Sequence, residues 1–237
     1  WVAKGVLWDG KITLVLGHHR EQVIEYVRNR YSKLWNKKIF EVLQAEQLGT
    51  GHAVQCYLKS KTSKHDYTMV LCADTPGIEL ADIKCLIAES KNGNDAVVGS
   101  FEVKNPKGYG RIIRAKNRYK IIEEKETTVT QKKIREVNSG LYLFNTIFLV
   151  EQLPKISNKN KSGEFYLTDL LALAKKSNVI NFFDGRNFLG VNTLEQLEEI
   201  GACLQQRKIR KLREEGVQFI SSLSTVIEAD VQIGVRL

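Results

Sequence analysis

The chain has 237 residues, of which 43% are apolar and 27% charged, and its formal net charge at pH 7 is +9. These proportions are ordinary for a soluble globular protein with one large domain. No run of eighteen apolar residues occurs, so a transmembrane helix is excluded and no membrane partner is expected.

The surplus of positive charge favours an anionic partner, such as a nucleic acid, a nucleotide or a sugar phosphate. The densest basic cluster, residues 205–214, lies on a predicted helix and is interpreted as a solvated helix face. No zinc-finger, helix-turn-helix or RNA-binding motif accompanies the charge, so a nucleic-acid partner is not expected. The four cysteines form no CxxC pair and have no zinc-ligand spacing, which indicates reduced thiols and a cytoplasmic protein.

The first hundred residues alternate between short apolar runs and amphipathic patterns of helical period. Strands are predicted at KITLVLG (11–17), KIFEVLQ (38–44), YTMVLCAD (67–74) and DAVVGSFEV (95–103). Helices are predicted between them at 20–31, from 52 onward and at 78–90. This alternation predicts βαβ units, and hence an α/β, Rossmann-like domain with a mostly parallel sheet.

The middle of the chain is richer in strands. GRIIRA (110–115) and YKIIEEKE (119–126) flank a Lys-Asn pair and predict a hairpin, and SGLYLFN (139–145) predicts a further strand. Helices are predicted at 146–156 and 166–177, and a strand at 179–185. We therefore expect a β-rich insertion within the α/β domain.

A long amphipathic helix is predicted after residue 192. Thr193 and Gln196 are spaced as a capping box, and Gly216 lies where a C-terminal cap is expected. The β-branched residues after it, with Ile227 and Ile233 six positions apart, weakly indicate the start of a left-handed β-helix. The predicted layout is a domain over 1–192, a linker helix over 193–216 and β-helix rungs over 217–237.

Three polar clusters follow predicted strands, where open α/β sheets bind ligands. They are the loop QAEQLGTGHAVQ (44–55), Asp74 and Asn192. Carboxylate and amide oxygens suit Mg²⁺, although Asp74 could be a turn or cap residue and Asn192 an ordinary loop residue. The loop is neither a Walker loop nor GxGxxG, and its glycines would allow a ligand to approach the backbone.

Several stretches in order resemble the bifunctional GlmU family, in which an N-acetylglucosamine-1-phosphate uridylyltransferase is joined to a glucosamine-1-phosphate acetyltransferase. The most specific are QAEQLGTGHA and NPKGYGRI. The others are VLCADTPGI, IIEEKE, VNSGLYLFN, GEFYLTDLLALA and GVNTLEQL, and STVIEADVQIG is similar to the family's first β-helix rungs.

The resemblance implies a reaction of UTP with N-acetylglucosamine 1-phosphate that gives UDP-N-acetylglucosamine and pyrophosphate, with Mg²⁺ as cofactor. It implies no catalytic acid, base or nucleophile, and it implies a homotrimer for the full-length family. Asp74 and Asn192 match the magnesium ligands, and Ala73 departs from the family's usual glycine. The substrate-binding positions implied are Gln44, Gly49 and Thr50 for uracil, Cys72, Ala73, Asp74 and Asn192 along the nucleotide, and Gly110, Glu123 and Asn138 for the sugar.

The family's Gly-rich phosphate loop has no counterpart in these residues, so we expect a chain truncated at both ends with little or no activity alone. The sheet should then lack a strand beside KITLVLG, leaving apolar surface exposed there. Two alternatives remain open: another sugar-1-phosphate nucleotidylyltransferase, and a non-catalytic module that binds a nucleotide sugar.

Overall fold

The computed structural model describes residues 10–60, 65–115, 118–228 and 231–234. These residues form an α/β fold, as the alternating pattern predicts. The strands are β1 (Ile12–Leu16), β2 (Ile39–Leu43), β3 (Tyr67–Leu71), β4 (Ala96–Glu102), β5 (Arg111–Ala115), β6 (Arg118–Ile122), β7 (Glu136–Asn145) and β8 (Ser177–Phe182). The α-helices are α1 (Arg20–Arg30), α2 (Thr50–Ser60), α3 (Leu80–Ser90), α4 (Thr146–Gln152), α5 (Leu170–Leu173) and α6 (Leu194–Glu214).

The ten-residue strand β7 organises the larger of two sheets. One edge of β7 pairs antiparallel with β4 along most of its length. The other edge is divided, because β3 pairs antiparallel with residues 141–145 and β5 meets β7 at Val137. β6 extends the sheet beyond β5, and β8 extends it beyond β4 in parallel.

The expectation of a mostly parallel sheet is wrong, because this sheet is mixed. β7 follows the β5–β6 hairpin and returns between β3 and β4 in the opposite direction to both. An alternating pattern of strands and helices predicts parallel neighbours only where a helical crossover joins consecutive strands. Here β4 leads into a hairpin instead, so the next long strand can enter the sheet antiparallel.

β1 and β2 pair with each other in parallel and form a separate two-stranded sheet. Among the described residues, no strand pairs with the second edge of β1 or of β3. All five residues of β1 are only half-buried although four of them are apolar. Within the described part of the chain, one edge of β1 is therefore without a strand partner, and the apolar side chains of β1 are partly exposed.

Two hydrophobic cores lie on opposite faces of β7. Tyr142 and Phe144 point into one core, whereas Leu141 and Leu143 point into the other. Successive side chains of a strand point to opposite faces, so an uninterrupted apolar run is what a strand buried on both sides requires. The first core is completed by α4 and by α5, which contributes Leu170 and Leu171.

The expected start of a left-handed β-helix is not evident. The described residues after α6 contain no strand, and Ile220, Leu223 and Val226 are exposed. Ile227 instead packs against α6, where Gln205 donates to its carbonyl at 2.8 Å and accepts from its amide at 2.9 Å. A β-helix rung is stable only when neighbouring rungs cover it.

Other predictions need smaller corrections. The helix predicted at 166–177 is only a 3₁₀ turn followed by α5, and the hairpin turn at 116–117 lies outside the described residues. The capping box of Thr193 and Gln196 is confirmed, as is Gly216 in a left-handed conformation just beyond α6. No helix in the described part of the chain is long and apolar enough to cross a bilayer.

Candidate functional site

Asp74 and Asn192, the two predicted metal ligands, lie together beyond the end of β3. A Cβ atom added to Gly190 would stand 3.6 Å from Asp74 Oδ2 and 3.6 Å from Asn192 Nδ2. The backbone keeps the two segments in register, because Val191 N donates to Asp74 O at 2.8 Å. The absence of a side chain at Gly190 leaves open the small space that both polar groups face.

This donor set fits Mg²⁺. One carboxylate and one amide can supply two oxygens, and Mg²⁺ completes its shell with water and substrate phosphate oxygens rather than with an all-protein cage. Consistent with such a sparse site, the described residues contain no cluster of three His, Cys, Asp or Glu side chains placed to hold a metal. Desolvation by the surrounding protein raises the pKa of the Asp74 carboxyl above its ordinary value.

The three predicted sugar-binding residues also lie together. A Cβ atom added to Gly110 would be 3.5 Å from Glu123 Oε2 and 3.6 Å from Asn138 Cβ. Asn138 N donates to Gly110 O at 2.9 Å, which joins β7 to the residue just before β5. Glu123 follows β6, so the hairpin and β7 deliver a carboxylate and an amide to one place. Both groups can hydrogen-bond the hydroxyls of a sugar.

The loop with the predicted base-binding residues is held by its own side chains. Gln44 Nε2 donates to Gly49 O at 3.1 Å and lies 3.3 Å from His52 Nδ1. These contacts engage the amide nitrogen of Gln44, whereas its carbonyl oxygen has no hydrogen-bond partner among the described residues. Thr50 Oγ1 accepts from Leu167 N at 3.1 Å, so part of the role of this hydroxyl is structural.

A glycine is required at position 49 of this loop. Gly49 has φ +101°, and an added Cβ would stand 2.8 Å from Phe165 O. Gly51 N donates to Phe165 O at 2.7 Å, and Phe165 N donates to Leu48 O at 2.8 Å. The loop therefore lies directly against the segment 164–168, with no room for a side chain between them.

The segment 164–168 also reaches the sugar cluster and so links two of the predicted subsites. Thr168 Oγ1 donates to Glu123 Oε1 at 2.7 Å, one residue after Leu167 holds Thr50. Burial raises the pKa of the Glu123 carboxyl, although the hydrogen bond from Thr168 acts in the opposite direction. The base loop and the sugar carboxylate are thus positioned by one short stretch of backbone.

Cys72 and Ala73 lie between the metal pair and the sugar cluster. Cys72 N donates to Gly140 O at 3.0 Å, and Gly140 with φ +72° leaves room for the Cys72 side chain. Burial raises the pKa of the Cys72 thiol to about 12, and the neighbouring carboxylates of Asp74 and Glu123 contribute to this rise, so the thiol is protonated and does not act as a nucleophile. Ala73 is exposed at the end of the strand.

Three residues that the sequence did not single out also belong to this site. Thr168 holds Glu123, and Tyr142 accepts a 2.6 Å hydrogen bond from Asn138 Nδ2. The Tyr109 hydroxyl accepts from Gly190 N at 3.2 Å, which joins the Gly110 loop to the metal pair. Tyr109 and Thr168 occur within NPKGYGRI and GEFYLTD, but those stretches give no indication of the distant partners.

A family model of nucleotidyl transferases matches residues 8–203, which include every predicted site residue. The chain belongs to the nucleotidyl transferase family. Among curated relatives, this nucleotidyl transferase is 38% identical over 226 residues to the bifunctional protein GlmU of Fervidobacterium nodosum, covering 95% of the chain and 48% of that protein. It is 40% identical over 228 residues to the bifunctional protein GlmU of Alkaliphilus metalliredigens, covering 93% and 48%. The chain spans about half the length of the curated relatives it matches.

Two solved structures share the fold of this nucleotidyl transferase at low sequence identity. A proposed UDP-N-acetylglucosamine pyrophosphorylase from Entamoeba histolytica superposes with a TM-score of 0.66 at 13% identity, covering 86% of this chain and 68% of that one. HddC from Yersinia pseudotuberculosis superposes with a TM-score of 0.54 at 20% identity, covering 80% and 76%. At these identities the likeness concerns the fold alone.

Proposed function

We propose that this nucleotidyl transferase joins UTP and N-acetylglucosamine 1-phosphate to give UDP-N-acetylglucosamine and pyrophosphate, with Mg²⁺ as cofactor. The observation that carries the proposal is the convergence of two clusters at one edge of the sheet. Gly110, Glu123 and Asn138 form one, and Asp74 and Asn192 form the other. Up to 40% identity to proteins named GlmU supports this choice of substrates.

Each cluster has a distinct role in the proposal. Gln44, Gly49 and Thr50 bind the uracil ring, whose polar edge suits the amide oxygen of Gln44 and the backbone N–H of Gly49, because Gly49 O already accepts from Gln44 Nε2. Cys72 and Ala73 line the path of the nucleotide with their backbone. Glu123 and Asn138 accept and donate hydrogen bonds to the sugar. Gly110 contributes its backbone, since an added Cβ would already stand 2.9 Å from Ile121 Cγ2.

The reaction needs no general base. The attacking group is a sugar-phosphate oxygen that is already ionised at neutral pH, so the chain has to align two polyanions and reduce their repulsion. Asp74 and Asn192 would hold Mg²⁺, which supplies positive charge beside the phosphates when bound. The surplus charge of +9 also favours the arrival of anionic substrates.

The proposal assigns different roles to successive parts of the chain. We assign residues 1–192 to the substrate-binding domain and residues 193–216 to a linker helix, on which Arg207 donates to Gly77 O at 2.9 Å. The cap at Thr193 follows directly on Asn192, so the start of this helix also fixes the position of a proposed metal ligand. A protein that consumes UTP in this way belongs in the cytoplasm.

A ligand panel tests the proposal. Calorimetric titration of the 237-residue chain would compare UDP-N-acetylglucosamine, UDP-glucose and dTDP-glucose, each with Mg²⁺ and with EDTA. We expect the tightest binding for UDP-N-acetylglucosamine, and weaker binding of every ligand in EDTA. Robust pyrophosphate release from UTP and N-acetylglucosamine 1-phosphate, measured on the same preparation, would exclude a binding module and would overturn the expectation of little or no activity in these residues alone.

The outcomes separate the open alternatives. Tighter binding of UDP-glucose or dTDP-glucose would overturn the choice of sugar or base and favour another sugar-1-phosphate nucleotidylyltransferase. Selective, Mg²⁺-dependent binding without pyrophosphate release is the result that we expect for these 237 residues. No binding of any nucleotide sugar would overturn the function as a whole.

A further inference from the structure

An irregularity in β7 brings Asn138 and Tyr142 together. Tyr142 lies opposite Val98 and Asn138 lies opposite Ser100, so four residues of β7 span only two residues of β4. In a regular strand, positions four apart are separated by about 13 Å, and positions two apart by about 7 Å. The two additional residues fold out as a bulge and preserve the alternation, so both side chains remain on one face.

Gly140 makes this bulge possible. Its φ of +72° lies in the left-handed region that favours glycine, and its carbonyl accepts from Cys72 N at 3.0 Å. Its own amide donates to Asn138 Oδ1 at 3.1 Å. The bulge therefore turns back on the side chain of Asn138 and engages its oxygen.

The other end of the Asn138 amide is held by Tyr142. Asn138 Nδ2 donates to the Tyr142 hydroxyl at 2.6 Å, so the oxygen and the nitrogen of one amide each have a partner from β7. A flipped amide would present its NH₂ group to Gly140 N, which is itself a donor. The two contacts together specify one orientation.

The phenol of Tyr142 is a rigid partner. The residue is 4% exposed, and its ring stacks on Phe144 with 5.8 Å between centroids. Burial raises the pKa of the Tyr142 hydroxyl well above its ordinary value, so the group stays neutral and protonated. A buried aromatic ring loses little further freedom when a ligand binds, so it can fix a neighbouring side chain in advance.

We propose that Tyr142 is a positioning residue that sets the orientation of the Asn138 amide and so raises affinity for the sugar part of the ligand. The inference rests on the proposed function, in which Asn138 touches the sugar. With the orientation fixed, the second N–H and the second oxygen lone pair of the Asn138 amide are directed to the ligand in fixed positions. Without the hydroxyl, the amide oxygen still accepts from Gly140 N, but the nitrogen end of the amide is no longer restrained, and part of each hydrogen bond to the sugar is lost.

The test compares Tyr142→Phe with a matched control, Tyr67→Phe. The Tyr67 hydroxyl also makes one hydrogen bond, to Ser90 O at 2.8 Å, but it lies at the opposite end of β3 from Asp74. Binding of UDP-N-acetylglucosamine and of UDP, which lacks the sugar, is measured for both variants with Mg²⁺. Circular dichroism melts establish that each variant is folded.

For Tyr142→Phe we expect binding of UDP-N-acetylglucosamine to weaken about three- to tenfold, the effect of one lost hydrogen bond, with UDP binding unchanged. Tyr67→Phe should bind both ligands as the unaltered chain does. In an Asn138→Ala background, Tyr142→Phe should cause no further loss, because the group that it positions is gone.

Four outcomes would contradict the inference. Equal effects of Tyr142→Phe on UDP and UDP-N-acetylglucosamine would indicate a general structural role, and so would additive effects in the Asn138→Ala background. Unchanged affinity in Tyr142→Phe would overturn the positioning role while leaving the proposed function intact. If the unaltered chain bound UDP-N-acetylglucosamine no better than UDP, the proposed function itself would fail, and the inference with it.

Discussion

The hydroxyl of Thr168 donates a 2.7 Å hydrogen bond to Oε1 of Glu123, and so joins the turn before α5 to the end of β6. Glu123 Oε2 faces Gly110 in the same cluster. The carboxylate thus has one oxygen engaged by the protein and one directed to the space where the sugar is proposed to bind. Because the group is buried, its charge is held at a cost to the stability of the fold.

Glu123→Gln should therefore stabilise the protein and weaken ligand binding. Burial raises the folded-state pKa of Glu123 above its ordinary value of 4.5. A carboxyl with a raised pKa contributes stability below its unfolded pKa, and this contribution is lost as the pH rises through the folded pKa. At pH 7 the variant should melt at a higher temperature than the unaltered chain, and the difference should shrink below about pH 4.5.

The same variant should bind UDP-N-acetylglucosamine more weakly by about tenfold or more, since hydrogen bonds to a charged acceptor are lost. Thr168→Ser is the control, because it keeps the hydroxyl that holds Glu123, and it should retain affinity. Melting curves at several pH values and calorimetric titrations give both readouts. If Glu123→Gln were less stable than the unaltered chain at pH 7, the charge of Glu123 would not destabilise the fold.

Gly140→Ala tests the bulge that links β7 to Cys72. An added Cβ would stand 3.0 Å from Cys72 Cβ and Sγ, and the backbone has φ +72°. The left-handed conformation costs a residue with a side chain about 1–2 kcal/mol, and overpacking adds about 1–3 kcal/mol. We expect the free energy of unfolding to fall by about 2–5 kcal/mol in urea titrations.

Gly163→Ala is a matched control for this substitution. Gly163 has a similar φ of +68°, but no atom lies within 4 Å of an added Cβ. The free energy of unfolding of this variant should fall only by the cost of the left-handed conformation, about 1–2 kcal/mol. If the free energy of unfolding fell equally in the two variants, the close contact with Cys72 would add no overpacking cost.

Asp74→Asn tests the proposed metal ligand. Replacing a carboxylate by an amide removes the negative charge that attracts Mg²⁺ and leaves a weaker oxygen ligand. The Mg²⁺-dependent gain in affinity for UDP-N-acetylglucosamine should fall by at least about tenfold, and binding in EDTA should be unchanged. Asp66→Asn serves as control, because this exposed residue precedes the same strand at its other end. A full Mg²⁺ effect in Asp74→Asn would remove Asp74 from the metal site.

Features that depend on local sequence were predictable. The alternation of apolar and amphipathic segments gave most of the strands and helices, and the spacing of Thr193 and Gln196 gave the start of α6. The end of β3 also indicated Asp74, because side chains that follow buried strands meet at one edge of a sheet. Asn192 does not follow a strand, since β8 ends at Phe182 and a 3₁₀ helix at Gly185–Phe188 lies between it and Asn192. Asp74 and Asn192 nevertheless lie close together, beside Gly190.

Features that depend on long-range pairing were not predictable. Nothing in the residues of β7 specifies whether it runs parallel or antiparallel to β4, since both faces are apolar in either case. The contact between Tyr142 and Asn138 requires the bulge at Gly140, and a glycine within an apolar run is equally compatible with a regular strand, a bend or a close backbone approach. The helical spacing at 166–177 was misleading, because Thr168 and its neighbours are fixed by tertiary contacts with Glu123 and Thr50.

The placement of β7 has a consequence for the order in which the protein is made. β3 and β4 are synthesised well before residues 136–145, and among the described residues their partners are β7 and, for β4, β8. Pairing Leu71 with Leu141 closes a loop of about 70 residues, which is slow because the entropy of the loop is lost first. A nascent chain that has not yet passed Asn145 therefore carries two apolar strands with open edges, and such edges pair readily with other chains. Aggregation during translation should be greatest in that interval and should fall once β7 has left the ribosome.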